Sequence, residues 1–157
     1  MNSSFEVSTD QRQLFLDDAG IAEVRNLTRT LHQPQKRGAV VRSSKPHQTI
    51  STPVWDPDEK LFKFWVIGTD ESYRISLDGL HWTAGPKQTN GVSMAVRDPN
   101  DPNPKYRYKA ALGNDGFAVS PNGINWTKLD VPAIPSFDEY NFSYNPTENL
   151  IYSHGQT

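Results

Sequence analysis

Acidic side chains in adjacent pairs are the residues of this sequence whose type could transfer protons. Two such pairs are Asp17-Asp18 and Asp138-Glu139. Positioned carboxylates serve as general acids and bases. Successive residues of a β-strand point to opposite faces, so at most one member of the second pair can face a pocket. The alternatives are a solvated acidic loop at 138–139 and a capping or turn role at 17–18.

Metal, cofactor and thiol chemistry have no supporting pattern in the sequence. The four histidines are scattered without ligand spacing. There are no cysteines, which excludes disulfides, thiol catalysis and Cys-based zinc sites. No phosphate loop or dinucleotide fingerprint is present. We therefore expect no cofactor and no metal site.

Charge and hydropathy limit the classes of partner. The formal net charge of −2 gives no electrostatic basis for binding nucleic acid. No stretch approaches the ~20 apolar residues of a membrane span. Residues 1–7 have neither the basic start nor the apolar run of a signal peptide. We expect no nucleic acid, no membrane and no export signal for this chain, and its compartment stays open.

The elements that would position the acidic residues repeat along the chain. Segment 73–83 returns as 117–127, with aromatic, Ser, Asp/Asn, Gly, aliphatic, Trp and Thr residues in register at a spacing of 44. The same spacing predicts three alternating equivalences with the period of a strand: Phe62 with Tyr106, Phe64 with Tyr108, and Val66 with Ala110. Upstream the spacing is 42, and a third copy begins near the end of the chain. The Asx-Pro turns of the three copies are Asp56-Pro57, Asp98-Pro99 and Asn145-Pro146.

The pattern of each unit predicts four strands. The first connection is an Asx-Pro turn, the second is a short turn, and the third is a Ser-x-Asx-Gly turn. Proline presets the dihedral of a turn, and Asp-Gly or Asn-Gly favours the turns that match strand twist. Twelve prolines and ten glycines disfavour long helices. Four antiparallel strands at a period of about 40–45 residues are typical of a β-propeller blade. A two-sheet sandwich is the alternative, but a sandwich need not repeat its sequence.

We therefore predict an all-β chain that forms an incomplete β-propeller of about two and a half blades. A flexible tail covers 1–12, and the partial propeller covers 13–157. Its parts are lead-in strands at 13–47, blades at 48–85 and 90–130, and the start of a third blade at 138–157. An incomplete propeller leaves blade edges open. The chain is thus expected to be a fragment, a truncated product, or a piece that self-associates through those edges.

The chain resembles a known family at this point. Residues 14–18, residues 29–34 and the paired Ser-x-Asx-Gly-x-x-Trp motifs look like the opening of bacterial proteins grouped with glycoside hydrolase families 32 and 43. Those are five-bladed propellers, and the resemblance covers nearly the whole chain. The turn motif alone is moderately specific, because sialidase-like propellers carry related turns. The resemblance implies a longer protein, secreted or periplasmic in its full form, that acts on a carbohydrate.

The resemblance also implies where catalytic carboxylates lie, near the axis at the entrance of the innermost strand of successive blades. In the third blade that entrance holds Asp138 and Glu139, and we favour Glu139 as the general acid. Asp17 and Asp18 are the remaining candidates for a base, and of the two we select Asp18. The pattern of three family carboxylates is incomplete here. Arg97-Asp98-Pro99 spells a family 32 motif, but it follows the inner strand, so we interpret it as a hairpin turn.

The substrate-binding candidates are Asn90 and His47, which lie at strand entrances, and the aromatic residues Trp65 and Tyr140, which are freer than the recurring tryptophans to line a pocket. Asn90 could bind a sugar hydroxyl or make a turn with Gly91. Aromatic rings could stack on sugar faces. Trp82 and Trp126 recur with the blade, so we expect them to pack between blades.

Three functions follow as hypotheses. The first is glycoside hydrolysis by carboxylate acid/base chemistry. The second is a non-catalytic propeller that binds a carbohydrate or serves as a scaffold. The third is an inactive fragment. In the first two the partner is a carbohydrate.

Overall fold

The computed structural model describes residues 9, 17–18, 20–42, 48–67, 72–138 and 140–155. His47 and Glu139 lie outside these residues, as does most of the predicted tail. The chain divides into two compact units, Met1–Lys36 and Arg37–Thr157.

The described part of the first unit contains no regular secondary structure. Its apolar side chains are exposed, with Leu27 at 78% and Leu31 at 85%. The Arg29 guanidinium donates to the Asp17 carbonyl at 3.0 Å and pairs with the Asp18 carboxylate. The sequence predicts lead-in strands over 13–47, but residues 22–31 form no strand, because no neighbouring strand pairs with them among the described residues.

The second unit is all-β in its described residues, apart from one 3₁₀ turn, Pro104–Tyr106. Sheet 1 contains β1 Val54–Asp56, β2 Leu61–Trp65, β3 Tyr73–Ser76 and β4 Thr83–Ala84. Sheet 2 contains β5 Ala95–Arg97, β6 Tyr108–Ala111, β7 Phe117–Ser120 and β8 Thr127–Lys128. A third, two-stranded sheet contains β9 Tyr140–Asn145 and β10 Leu150–Gly155. Strands follow chain order within sheets 1 and 2, and every pairing is antiparallel, which confirms the predicted class and the four-stranded units.

The strand register corrects the three predicted equivalences between β2 and β6. Trp55 pairs with Phe62 in sheet 1, and Arg97 pairs with Tyr108 in sheet 2. Phe62 is therefore equivalent to Tyr108, at a spacing of 46, and by the same register Phe64 is equivalent to Ala110. The predicted matches of Phe62 with Tyr106, Phe64 with Tyr108 and Val66 with Ala110 are all wrong, because the spacing across these strands is 46 and not 44. The connection between β5 and β6 is longer than that between β1 and β2 and holds the 3₁₀ turn. The following connection in sheet 2 is shorter, which restores the spacing of 44 by β7.

The Asx-Pro turns close each first hairpin as predicted. The Asp56 carboxylate accepts hydrogen bonds from the N–H groups of Asp58 at 3.0 Å and Glu59 at 3.3 Å. Asp98 accepts from the Asn100 N–H at 3.0 Å, so Arg97-Asp98-Pro99 lies in a hairpin turn. A short polar side chain that bonds its own backbone two residues on stabilises such a turn.

The two Ser-x-Asx-Gly turns have the same hydrogen bonds. Ser76 Oγ accepts from the Gly79 N–H at 2.9 Å, and Ser120 Oγ accepts from the Gly123 N–H at 2.9 Å. Both glycines have positive φ, +74° and +78°, which residues with a Cβ rarely adopt. In sheet 1 the backbone N–H of His81, with the His81 ring and the Leu80 N–H, holds the pKa of Asp78 well below its usual range.

A buried lysine of sheet 1 binds the Ser-x-Asx-Gly turn of sheet 2. Lys63 is fully buried, and its Nζ lies 2.7 Å from both an Asp56 and a Glu59 carboxylate oxygen. The same Nζ donates to the Asn122 carbonyl of sheet 2 at 3.1 Å. The Tyr108 hydroxyl donates to Asp56 from the same side. A buried cation is tolerated only with such partners, so this cluster fixes sheet 2 against sheet 1.

Aromatic packing completes the same interface. Trp65 is fully buried, and its ring centroid lies 5.7 Å from Tyr73, 6.0 Å from Tyr108 and 6.2 Å from Trp126. Its indole N–H donates to the Gly123 carbonyl at 3.1 Å. Trp126 lies between the sheets as predicted, and Trp65 belongs to the core with it.

Acid is expected to weaken the fold through Asp56. Burial alone would raise its pKa, but hydrogen bonds from Lys63 and Tyr108 and the Lys63 charge outweigh burial and lower the pKa from 3.8 to about 2. A carboxyl with a depressed pKa stabilises the fold above its unfolded pKa and loses that contribution as pH falls through the folded value. We therefore expect a loss of roughly 2 kcal/mol between pH 4 and pH 2.

Urea unfolding at a series of pH values measures this contribution. The Asp56→Asn variant removes the titrating group, so its free energy of unfolding should fall less steeply between pH 4 and pH 2. Equal slopes for the two proteins would show that Asp56 does not carry the acid sensitivity.

A cleft at the entrance of three strands

The second unit has a cleft of about 640 Å³, which we call the entrance cleft. Its walls come from the residues that precede or begin β1, β5 and β9 and from the β6–β7 turn. The polar residues that line it are Gln48, Asn90, Ser93, Asp115, Lys128, Asp138 and Tyr140. Three of the predicted site residues, Asn90, Asp138 and Tyr140, therefore line one cleft.

Backbone pairing fixes the first wall. The N–H of Gln48 donates to the Ile67 carbonyl at 3.1 Å, and the N–H of Ile67 donates back at 2.9 Å. These two bonds hold the segment before β1 against the end of β2. The Gln48 side chain thus enters the cleft from an anchored backbone.

Asn90 makes the turn that the sequence favoured and also lines the cleft. Its carbonyl accepts from the Val92 N–H at 2.8 Å, and its side-chain amide donates to the Trp126 carbonyl at 3.1 Å. Thr89 adds a bond from the Trp126 N–H to its hydroxyl at 2.8 Å. The segment before β5 is thereby tied to the end of its own sheet, and the Asn90 amide is held at the cleft.

Asp115 is the cleft carboxylate that the sequence did not identify. It lies in the Gly113–Gly116 turn, where the Leu112 N–H donates to the Gly116 carbonyl at 2.9 Å. In an antiparallel sheet the turn after β6 lies at the same end as the start of β5, because β6 runs back along β5. That topological rule is the signal that could have placed Asp115 among the strand entrances.

A side-chain clamp brings Asp138 to the same cleft. The Asn114 amide donates to the Ser136 carbonyl at 3.1 Å, and its oxygen accepts from the Ser136 N–H at 2.9 Å. Asn114 adjoins Asp115, and Ser136 is two residues before Asp138. The clamp therefore fixes the two carboxylate-bearing segments relative to each other.

Tyr140 forms the buried part of the cleft wall. Its side chain is 5% exposed, packs with Met94 and Ala111, and has its ring centroid 5.6 Å from that of Phe142. Its hydroxyl has no hydrogen-bond partner among the described residues. The ring is thus held by apolar packing, and little of its face is open for stacking on a sugar.

Two other predicted residues lie elsewhere. Trp65 is buried in the core between the sheets and has no exposed face for a ligand. Asp18 belongs to the first unit, is exposed and pairs with Arg29. Glu139 and His47 fall outside the described residues.

The described residues hold no group of three or more His, Asp or Glu side chains that could bind a metal ion. Within the same residues no helix is long and apolar enough to cross a membrane. The fold and the cleft define an all-β protein of repeated four-stranded antiparallel sheets with a polar cleft at one end of its strands. No family model, curated protein or solved structure matches the chain.

Proposed function

We propose that this chain forms part of a β-propeller that binds a carbohydrate in the entrance cleft. One observation carries the proposal: amide and carboxylate side chains from three successive strand entrances line a single cleft of about 640 Å³. That volume is in the range of small-molecule sites. Sugar hydroxyls both donate and accept hydrogen bonds, and amides with carboxylates supply both partners.

The repeated sheets support the propeller part of the proposal. Sheets 1 and 2 have the same strand order and the same Ser-x-Asx-Gly turn. Their first strands, β1 and β5, pack side by side, with β9 next to β5. Blades arranged around a central axis place their first strands in this way. The resemblance to families 32 and 43 names carbohydrates as the ligand class.

Glycoside hydrolysis is the second candidate, and the pair of cleft carboxylates favours it. Asp115 and Asp138 both line the cleft, and hydrolysis of a glycosidic bond uses two carboxyl groups on either side of that bond. At most one of Asp138 and Glu139 can face a pocket, so Asp138, which lines the cleft, takes the role of general acid in this proposal in place of Glu139. Binding without turnover needs only the cleft itself.

A glycan array probed with the whole chain tests the proposal, followed by calorimetry with the best oligosaccharide. Asn90→Ala and Asp138→Asn are each expected to weaken binding about tenfold, the equivalent of one hydrogen bond to the sugar. Asp130→Asn is the matched control, because Asp130 is exposed and does not line the cleft. Equal losses in all three variants, or no binding to any glycan, would contradict the proposal.

The same incubations separate the two candidates. Mass spectrometry of the bound oligosaccharide shows whether it is shortened over time. Under hydrolysis, Asp115→Asn should lower the rate at least a hundredfold while the sugar still binds. An intact oligosaccharide after prolonged incubation would leave binding as the function.

A further inference from the structure

At the interface between sheets 1 and 2, side chains of one sheet bind a turn of the next sheet. Lys63 Nζ lies 3.1 Å from the Asn122 carbonyl oxygen, and Trp65 Nε1 lies 3.1 Å from the Gly123 carbonyl oxygen. Both acceptors belong to the Ser-x-Asx-Gly turn between β7 and β8. The carbonyls of this turn are therefore recognised by donors on β2.

Sheet 2 contains a lysine equivalent to Lys63, which could form half of a second docking site for such a turn. Lys109 occupies on β6 the register position of Lys63 on β2, and its Nζ pairs with Asp98 and with Asp101 at 2.7 Å. Burial would lower its pKa, but Asp101 and Asp98 raise it, so the group stays cationic. Its side chain is 22% exposed, whereas that of Lys63 is fully buried. Hairpin β9–β10 packs on sheet 2, but its described residues contain no Ser-x-Asx-Gly turn.

The outer edge of β10 is the second half of this docking site. β2 and β6 each pair with a strand on both sides, while β10 pairs with β9 alone in the described part of the chain. Its exposed edge presents unpaired backbone donors and acceptors over 150–155. By register, Ile151 takes the position of Phe62 and Tyr108, each of which faces the serine of the turn motif.

We infer that the β10 edge and Lys109 together bind a β-hairpin that carries a Ser-x-Asx-Gly turn. The first strand of that hairpin adds antiparallel to β10, which is binding by strand addition. Its serine then faces Ile151, and a carbonyl of its turn reaches Lys109 Nζ. The partner is defined by chemistry already present in the chain, since β7–β8 is a hairpin of this kind docked on sheet 1.

A synthetic peptide with the sequence of residues 115–130 is the probe. We expect it to bind the whole chain and to slow amide hydrogen exchange at 150–155. Alternate residues of β7 face its two neighbours: the Gly116 carbonyl bonds Leu112 on the β6 side, and the Phe117 carbonyl bonds Leu129 on the β8 side. Ala118 therefore faces β6, and N-methylation of Ala118 in the peptide should weaken binding more than tenfold, as should scrambling of the peptide.

Variants of the protein test the lysine. Lys109→Met should weaken peptide binding about tenfold, as expected for loss of one charge-assisted hydrogen bond. Lys87→Met is the control, because Lys87 is exposed and lies outside the docking site. The N-methylated peptide uses the unchanged protein, so it remains decisive if Lys109→Met folds poorly. No binding, binding without protection at 150–155, or protection that rises with protein concentration in the absence of peptide would overturn the inference.

Discussion

Replacing Lys63 by methionine is expected to lower the free energy of unfolding by about 3–5 kcal/mol at pH 7. Methionine keeps much of the side-chain volume and removes the ammonium group. Asp56, which is 3% exposed, then keeps its negative charge but loses its nearest cation. Urea unfolding followed by tryptophan fluorescence measures the loss, since Trp65 and Trp126 are both buried at this interface.

Lys109→Met is the matched control for this prediction. Lys109 has the same register position and also pairs with the aspartate of its Asx-Pro turn. Because its side chain is 22% exposed and bonds no turn of another sheet in the described structure, we expect a smaller loss than for Lys63→Met. Equal losses would mean that burial against sheet 2 adds nothing to the Lys63 cluster.

The pH dependence of the Lys63→Met variant gives a second readout. Without the lysine, desolvation should raise the pKa of Asp56, because burial penalises the charged form. Protonation then removes a buried charge that has lost its nearest cation and keeps Arg97, whose Nε lies 3.7 Å away, so the difference between variant and parent should shrink as pH falls below about 5. Adding Asp56→Asn to the variant should recover part of the loss at pH 7, as coupled partners do in a double-mutant cycle.

This cluster also shows why the sequence predicted the sheets but not the contact between them. The Asx-Pro turns and the alternating strands follow from local chemistry, and they are where the sequence placed them. The Lys63–Lys109 equivalence was hidden, because a spacing of 44 aligns Phe62 with Tyr106 and takes Lys63 out of register with Lys109. Only the paired strands reveal that one connection lengthened and the next shortened.

Trp65 illustrates a second limit of the sequence. It does not recur, since Ala111 occupies its register position in sheet 2, and a residue that does not recur suggested a role in a pocket. The structure gives the physical reason for the difference. Trp65 fills the space under the Gly123 turn, whereas Ala111 packs against Tyr140 and Met94. The two sheets have different neighbours, so their buried positions need different volumes.

The cleft was predictable to the extent that it depends on topology. Repetition of the units implies that successive strand entrances lie together, and Asn90, Asp138 and Tyr140 were identified in this way. Asp115 was missed because it lies in the short turn between the second and third strands, where an aspartate is also expected for local reasons. The position of Asp115 relative to Asp138 is fixed by the clamp between the neighbouring Asn114 and Ser136. That contact spans 22 residues, and no local pattern predicts it.

Gly123→Ala is expected to lower the free energy of unfolding by about 2–5 kcal/mol. A residue with a Cβ at φ +78° costs about 1–2 kcal/mol. The added Cβ would also lie 2.9 Å from Trp65 Cζ2 and 3.5 Å from Tyr108 Cδ1. Trp65 is fully buried and donates to the carbonyl of this same glycine, so it cannot move away without loss of that bond. Overpacking of this kind costs about 1–3 kcal/mol more.

Gly79→Ala separates the two contributions. Gly79 occupies the same turn position in sheet 1 at φ +74°, but its added Cβ would meet only Phe62, at an ordinary 3.8 Å. This variant should therefore lose only the backbone contribution, about 1–2 kcal/mol. Chemical denaturation of both variants under one set of conditions gives the difference, which is the energy of the contact between the turn and Trp65. If the two variants lose equal free energy of unfolding, sheet 2 is not held against sheet 1 through this turn. The docking site inferred on Lys109 and β10 would then have no precedent in the structure.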